Sequence, residues 1–106
     1  MSIDVNETLD REQTRQCKAD EMTVDHGSEW REQFAPGSFG CHELLDRVNR
    51  AAEQIERDLL NHPACIASAD WYSLADEAAS ALHKLYQRIG AVHLDADHMP
   101  PRTNSP

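Results

Sequence analysis

Between residues 39 and 94 apolar side chains recur at three- and four-residue steps, and nowhere else in the chain does such a pattern last long enough to build a packed element. Leu44, Leu45, Val48, Ala51, Ala52, Ile55, Leu59 and Leu60 form one stripe of a first helix, while Glu43, Asp46, Arg47, Arg50, Glu53, Glu56, Arg57 and Asp58 fill its other face. In a second helix Trp71, Ala75, Ala78, Leu82, Leu85 and Ile89 make a heptad-like seam of the kind that packs antiparallel neighbours, widened by Leu74, Ala79 and Tyr86. Pro63 disfavours helical geometry at His62 and so ends the first helix. Ser68 is placed to cap the second, with Asp70 in its first turn. Gly90 either stops that helix or is a tolerated glycine ahead of Ala91, Val92, His93 and Leu94. The pattern predicts an all-α fold: an antiparallel two-helix hairpin over residues 38–94, with its turn at His62-Pro63-Ala64-Cys65-Ile66-Ala67.

A lone hairpin is marginal, because only about half of the 106 residues carry a usable apolar pattern. The expectation is therefore a homo-oligomeric helical bundle. Leu45, Leu60, Leu74 and Tyr86 lie partly beyond the intramolecular seam, and each would contribute roughly 1.5–3 kcal/mol if a neighbour covered it. Residues 1–37 form an acidic segment expected to be largely mobile, with Asp4 to Lys18 fraying in and out of helix and a short helix over 28–34 that sets Trp30 and Phe34 on one face. Residues 95–106 hold three prolines and no apolar pattern, which predicts a disordered tail. Both ends are thus read as disordered or loosely docked. With 19 acidic against 10 basic residues and a net charge of −9, the chain lacks the basic surface that a nucleic-acid polymer or an anionic membrane requires. The N-terminus has no basic region followed by an apolar run, no stretch approaches membrane-spanning length, and the three cysteines form no disulfide framework; these features predict a cytoplasmic protein with reduced thiols.

Candidate chemistry is sparse. Cys41-His42 and His62-x-x-Cys65 resemble ligand pairs, but about twenty helical residues, or ~30 Å, separate them, so they cannot share a metal within one chain. Antiparallel pairing brings Cys41, His42 and His93 together as a three-ligand set, although adjacent helical residues diverge by about 100°. The competing reading gives His42 and His93 a capping or interface role and makes Cys41 a small buried hydrophobe. No nucleophile elbow, phosphate-binding glycine loop or triad is present, and the carboxylate pairs Asp76-Glu77 and Glu53 with Glu56 fall on solvated faces. The chain is therefore read as a non-enzyme that needs no cofactor. The same pairing places Arg47 and Arg50 in the half of the hairpin that holds Lys84, Arg88, Phe39, Tyr86 and His42. Such a set of cations and rings either holds a nucleotide through phosphate contacts and stacking or is simply a group of solvated ion pairs.

One resemblance sharpens these expectations. The run Ser38-Phe39-Gly40-Cys41-His42-Glu43-Leu44-Leu45, the turn His62-Pro63-Ala64, and Trp71 followed by Leu82-His83-Lys84-Leu85-Tyr86-Gln87-Arg88-Ile89-Gly90 resemble the helical hairpin of the phage anti-CBASS and anti-Thoeris sponge proteins over residues 38–94. The resemblance implies a phage or prophage protein in the host bacterial cytoplasm that binds a cyclic di- or trinucleotide or a cyclic ADP-ribose-type signal without cleaving it, in pockets between protomers. By position it makes Arg88 a ligand contact, with Phe39 and either Arg47 or Arg50 as further candidates. Phenylalanine at 39 keeps stacking but lacks the hydroxyl of the family's tyrosine. Two other readings stand beside this one: an oligomeric interaction module that binds a protein partner and no small molecule, and a metal-stabilised hairpin.

Overall fold

A computed structural model describes residues 5–98, all of whose regular elements are helical. The chain divides into two compact units, Met1–Gln33 and Phe34–Pro106.

In the first unit, α1 spans Val5–His26. Within the segment expected to be largely mobile, Val5–His26 is helical. Its support is local: Glu12 pairs with Arg15, and Gln16 donates to Asp20 at 3.3 Å, both one turn apart in a stretch rich in helix-forming residues. The hydrogen bond from Arg15 holds the Glu12 carboxyl below the usual carboxylate range, but both side chains face water, where such pairs contribute little. Ala19 alone is buried among the unit's described side chains. Gly27 ends α1 with φ 93°, a left-handed conformation that only glycine adopts at no cost, and its N–H donates to the Thr23 carbonyl at 2.9 Å. The expected short helix over 28–34 is present as a 3₁₀ turn, Trp30–Phe34; the Trp30 indole N–H donates to Thr23 Oγ1 at 3.0 Å, and the Arg31 guanidinium lies 4.5 Å over the same ring.

In the second unit, α2 spans Phe39–Ile55 and opens on Ser38, whose hydroxyl oxygen accepts from the Cys41 N–H at 3.1 Å. It continues into a single π turn, Glu56–Leu60. The wider turn rotates the last residues, so that Leu60 is half-buried while Leu59 is 48 % exposed, although both belong to the apolar stripe in sequence. His62 is extended (φ −75°, ψ 131°), as its position before Pro63 requires, and its Nδ1 accepts from the Ala64 N–H to cap the one-turn α3, Pro63–Ile66. Ser68 Oγ accepts from the Trp71 N–H at 3.1 Å and starts α4, Ala69–His98. This helix passes through Gly90 without a break and extends beyond Leu94, so residues 95–98, expected in the tail, are helical; the remaining tail, 99–106, lies outside the described residues.

The first turns of α2 lie beside the last turns of α4, with the His42 and His93 rings 5.5 Å apart, and His83 reaches Glu56 at 3.0 Å from further back along α4. Between the helices lie Cys41, Leu45, Val48 and Ala52 from α2 and Ala79, Gly90 and His93 from α4. Leu45 is 4 % exposed and not left outside the seam as expected, because Gly90 leaves room opposite it. The α4 seam is also turned from its expected setting. Ala75, Ala79, Leu82 and Ile89 face inward, whereas Trp71 and Leu85 are 61 % and 42 % exposed and Ala78 is exposed. Small residues explain the rotation: Ala79 and Gly90 let the backbones approach more closely than Ala78 and Leu85 would, and closer approach gains more dispersion contacts. Among the described residues no helix is long and apolar enough to cross a membrane.

Gly90 provides a direct test of this packing. A Cβ there would meet Leu94 Cδ1 at 3.8 Å and Leu45 Cδ1 at 4.0 Å, both ordinary contacts, while glycine inside a helix costs about 1 kcal/mol relative to alanine. Gly90→Ala should therefore raise the melting temperature by about 4–8 °C in a thermal scan. A fall would show that α2 and α4 approach more closely at this point than the distances allow.

Candidate functional site

Two features of the second unit merit construction from their residues: a small cleft beside the α2–α4 seam, and an open apolar face.

The cleft is lined by His42, Leu45, Asp46, Asn49 and Tyr86 and holds about 100 Å³. Asp46 contributes a negative charge, and Tyr86, one of the sequence candidates, is partly exposed at its edge. Small-molecule sites commonly hold about 300–1,000 Å³, so within a single chain this cleft is too small for a nucleotide. The cations foreseen around it are differently engaged. Arg47 pairs with Glu43 at 3.0 Å and Arg50 with Asp46 at 3.1 Å, each one helical turn away on the exposed side of α2. Lys84 and Arg88 are exposed and take part in no ion pair among the described residues. Phe39, at the first position of α2, is 83 % exposed. The structure thus brings Tyr86 to the α2 seam but does not gather Phe39, Arg47, Arg50, Lys84 and Arg88 into one pocket of a single chain.

His42 and His93 do meet, as the pairing of helices predicts. His93 is only 3 % exposed, and its Nδ1 accepts a 2.8 Å hydrogen bond from the Gly37 N–H. That bond fixes the tautomer, since an accepting Nδ1 leaves the proton on Nε2. Gly37 can present its N–H because φ is 90° there, a conformation that a residue with Cβ adopts only under strain. Cys41 is buried as a small hydrophobe, and among the described residues no group of three His, Cys, Asp or Glu side chains is arranged to hold a metal ion. The Cys41, His42 and His93 set is therefore a structural junction: one backbone N–H, one imidazole acceptor and one neighbouring ring that tie the loop before α2 to the end of α4. Composition did not single out Gly37 as a partner; the positive φ that makes it useful leaves no mark in the sequence beyond a glycine in a turn.

The open face is the larger feature. Counting about 100° per residue along α4, Trp71, Leu74, Ala78, Ala81, Leu85 and Val92 lie on one side of the inward residues, and Trp71, Leu74, Leu85 and Val92 are 61, 59, 42 and 55 % exposed. On α2 the matching flank carries Leu44 and Leu59, 49 % and 48 % exposed, and a depression of about 260 Å³ lined by Ala51, Gln54, Ile55, Asp58 and Leu59. Six large apolar side chains, spread over both helices, thus face water on this side of the unit.

The junction predicts a stability effect. Replacing His93 by leucine deletes the acceptor of this part-buried hydrogen bond, at a cost of about 1 kcal/mol. His93→Leu should lower the melting temperature by about 5 °C, and His93→Gln, which restores a carbonyl acceptor, should recover part of the loss. Equal melting temperatures for parent and leucine variant would show that the loop is held by other contacts. In comparisons with known proteins, the chain matches no family model, no curated protein and no solved structure.

Proposed function

We propose that this protein acts by binding rather than by catalysis, as an antiparallel α2–α4 hairpin whose open apolar face is covered by a protein partner in an oligomeric helical assembly. The observation that carries this reading is the exposure of Trp71, Leu74, Leu85 and Val92 along one stripe of α4. Isolated exposed apolar residues are ordinary, but a continuous strip spanning several helical turns marks a surface that is buried in the working state. The core beneath it supports the same reading. It has no fully buried large side chain among the described residues, and its buried members are small or medium-sized. A pair of helices with so little interior gains most of its further stability from a neighbour.

A second reading keeps the sequestration of a cyclic di- or trinucleotide or cyclic ADP-ribose-type signal, in the host bacterial cytoplasm. It is favoured by one observation: Lys84 and Arg88 stand exposed and without ion-pair partners among the described residues, beside the turn of α4 that presents Tyr86. Because the cleft is small, such a ligand would need Lys84, Arg88 and Phe39 to be joined by cations of a second protomer.

The test pairs association with ligand screening. Light scattering across low to high micromolar concentrations should show self-association, and Trp71→Glu combined with Leu85→Glu should abolish it while far-UV circular dichroism stays helical. In a separate arm, cyclic dinucleotides, cyclic trinucleotides and cyclic ADP-ribose isomers should leave the melting temperature unchanged. A ligand-dependent rise of several degrees that Arg88→Ala removes would replace the interaction reading with sequestration. A folded monomer whose properties the double glutamate variant does not alter would overturn the interaction reading.

A further inference from the structure

Resting on the interaction reading above, we infer that the occupant of the open face is a second copy of this chain, docked through α4 in an antiparallel, two-fold arrangement that completes a four-helix bundle. Three properties of α4 point to this partner.

The first is spacing. Trp71, Leu74, Ala78, Ala81, Leu85, Arg88 and Val92 step by three, four, three, four, three and four, which is the a/d repeat of a helix-packing seam, and it is distinct from the inward set at Ala75, Ala79, Leu82, Ile89 and His93. A helix with two adjacent seams is a member of a bundle, where each helix touches two neighbours.

The second is size along the stripe. Alanines occupy its centre at Ala78 and Ala81, and the bulky Trp71 lies at one end opposite the smaller Val92 at the other. Around a two-fold axis near Ala81, Trp71 meets the partner's Val92, Ala78 meets the partner's Leu85, and the two copies of Ala81 cross at the closest point. Large faces small in these layers, and the remaining layer sets Leu74 against the partner's Arg88, whose aliphatic stem can cover it while the guanidinium reaches water.

The third is charge. Glu77 and Lys84 flank the stripe on the same edge, two turns apart, and neither takes part in an ion pair among the described residues. In the antiparallel arrangement Glu77 faces the partner's Lys84, and the two-fold axis repeats the pair. In a parallel two-fold arrangement this edge of one copy would lie on the far side of the interface from the same edge of the other, so Glu77 and Lys84 would not meet. Flanking pairs of this kind contribute little to stability but select orientation. That selection matters for a chain with a net charge of −9, whose copies repel at long range.

The area is sufficient. The stripe is about 30 Å long at the helical rise, and two helices side by side present a face about 20 Å wide, so each copy would bury roughly 600 Å² and the pair roughly 1,200 Å², at the lower edge of stable interfaces.

Charge exchange tests the geometry. Sedimentation equilibrium should give a dimer for the full chain. Glu77→Lys alone and Lys84→Glu alone should each weaken it about tenfold, and the double exchange, which leaves net charge unchanged, should restore the parent affinity. If the chain associates, and Trp71→Glu with Leu85→Glu abolishes association, but the stoichiometry is not two or the double exchange fails to rescue, the antiparallel dimer is overturned while the interaction reading stands. If the chain is monomeric at every concentration and indifferent to the double glutamate variant, both fall.

Discussion

Two helices in contact share a single line of touching side chains, and the organisation of the second unit follows from how little that line can bury. The α2–α4 line is made of Cys41, Leu45, Val48 and Ala52 on one side and Ala79, Gly90 and His93 on the other. Most are small. Small residues bring helix axes close and raise the density of dispersion contacts, but they remove little area from water per residue. The larger side chains of the pattern, Leu44, Leu59, Trp71, Leu74, Leu85 and Val92, are displaced to the flanks, where they remain between 42 % and 61 % exposed. The same choice that tightens the pair therefore leaves an apolar surface open to water.

Polar contacts confine the pair at its two ends. Near the start of α2, the buried imidazole of His93 accepts from Gly37; near its end, Glu56 meets His83 at the beginning of the π turn. The first contact is part-buried, with its imidazole side enclosed and a defined tautomer, so it orders the loop. The second is half exposed and shielded by solvent, and it contributes register more than energy. The π turn between Glu56 and Leu60 shifts the stripe by one residue, turning Leu60 toward α4 and Leu59 outward. Without that extra residue the apolar depression on the α2 flank would be smaller, because Leu59 would join the seam.

These arrangements bear on the chemistries that composition left open. The His93 Nδ1 accepts a backbone hydrogen bond from Gly37, so this imidazole acts as a structural acceptor. Arginines satisfied by carboxylates one turn away, as Arg47 and Arg50 are, would have to break those pairs to hold phosphate, whereas Lys84 and Arg88 would not.

The helical character, the break at His62-Pro63 and the cap at Ser68 were legible in the residues, because apolar periodicity, proline stereochemistry and hydroxyl capping act within a few residues along the chain. The meeting of His42 with the end of α4 was legible too, since helix lengths and a short turn determine which residues can come opposite each other. Three matters were decided only by tertiary structure. Which edge of the wide apolar arc of α4 turns inward depends on how closely the backbones approach at Ala79 and Gly90, a property of two surfaces and not of one stretch. Whether Leu59 or Leu60 faces the seam depends on a π turn that no residue type announces. Whether Gly37 donates to His93 depends on a positive φ that brings a loop and a helix end together across more than fifty residues, and spacing along the chain holds no record of such a contact.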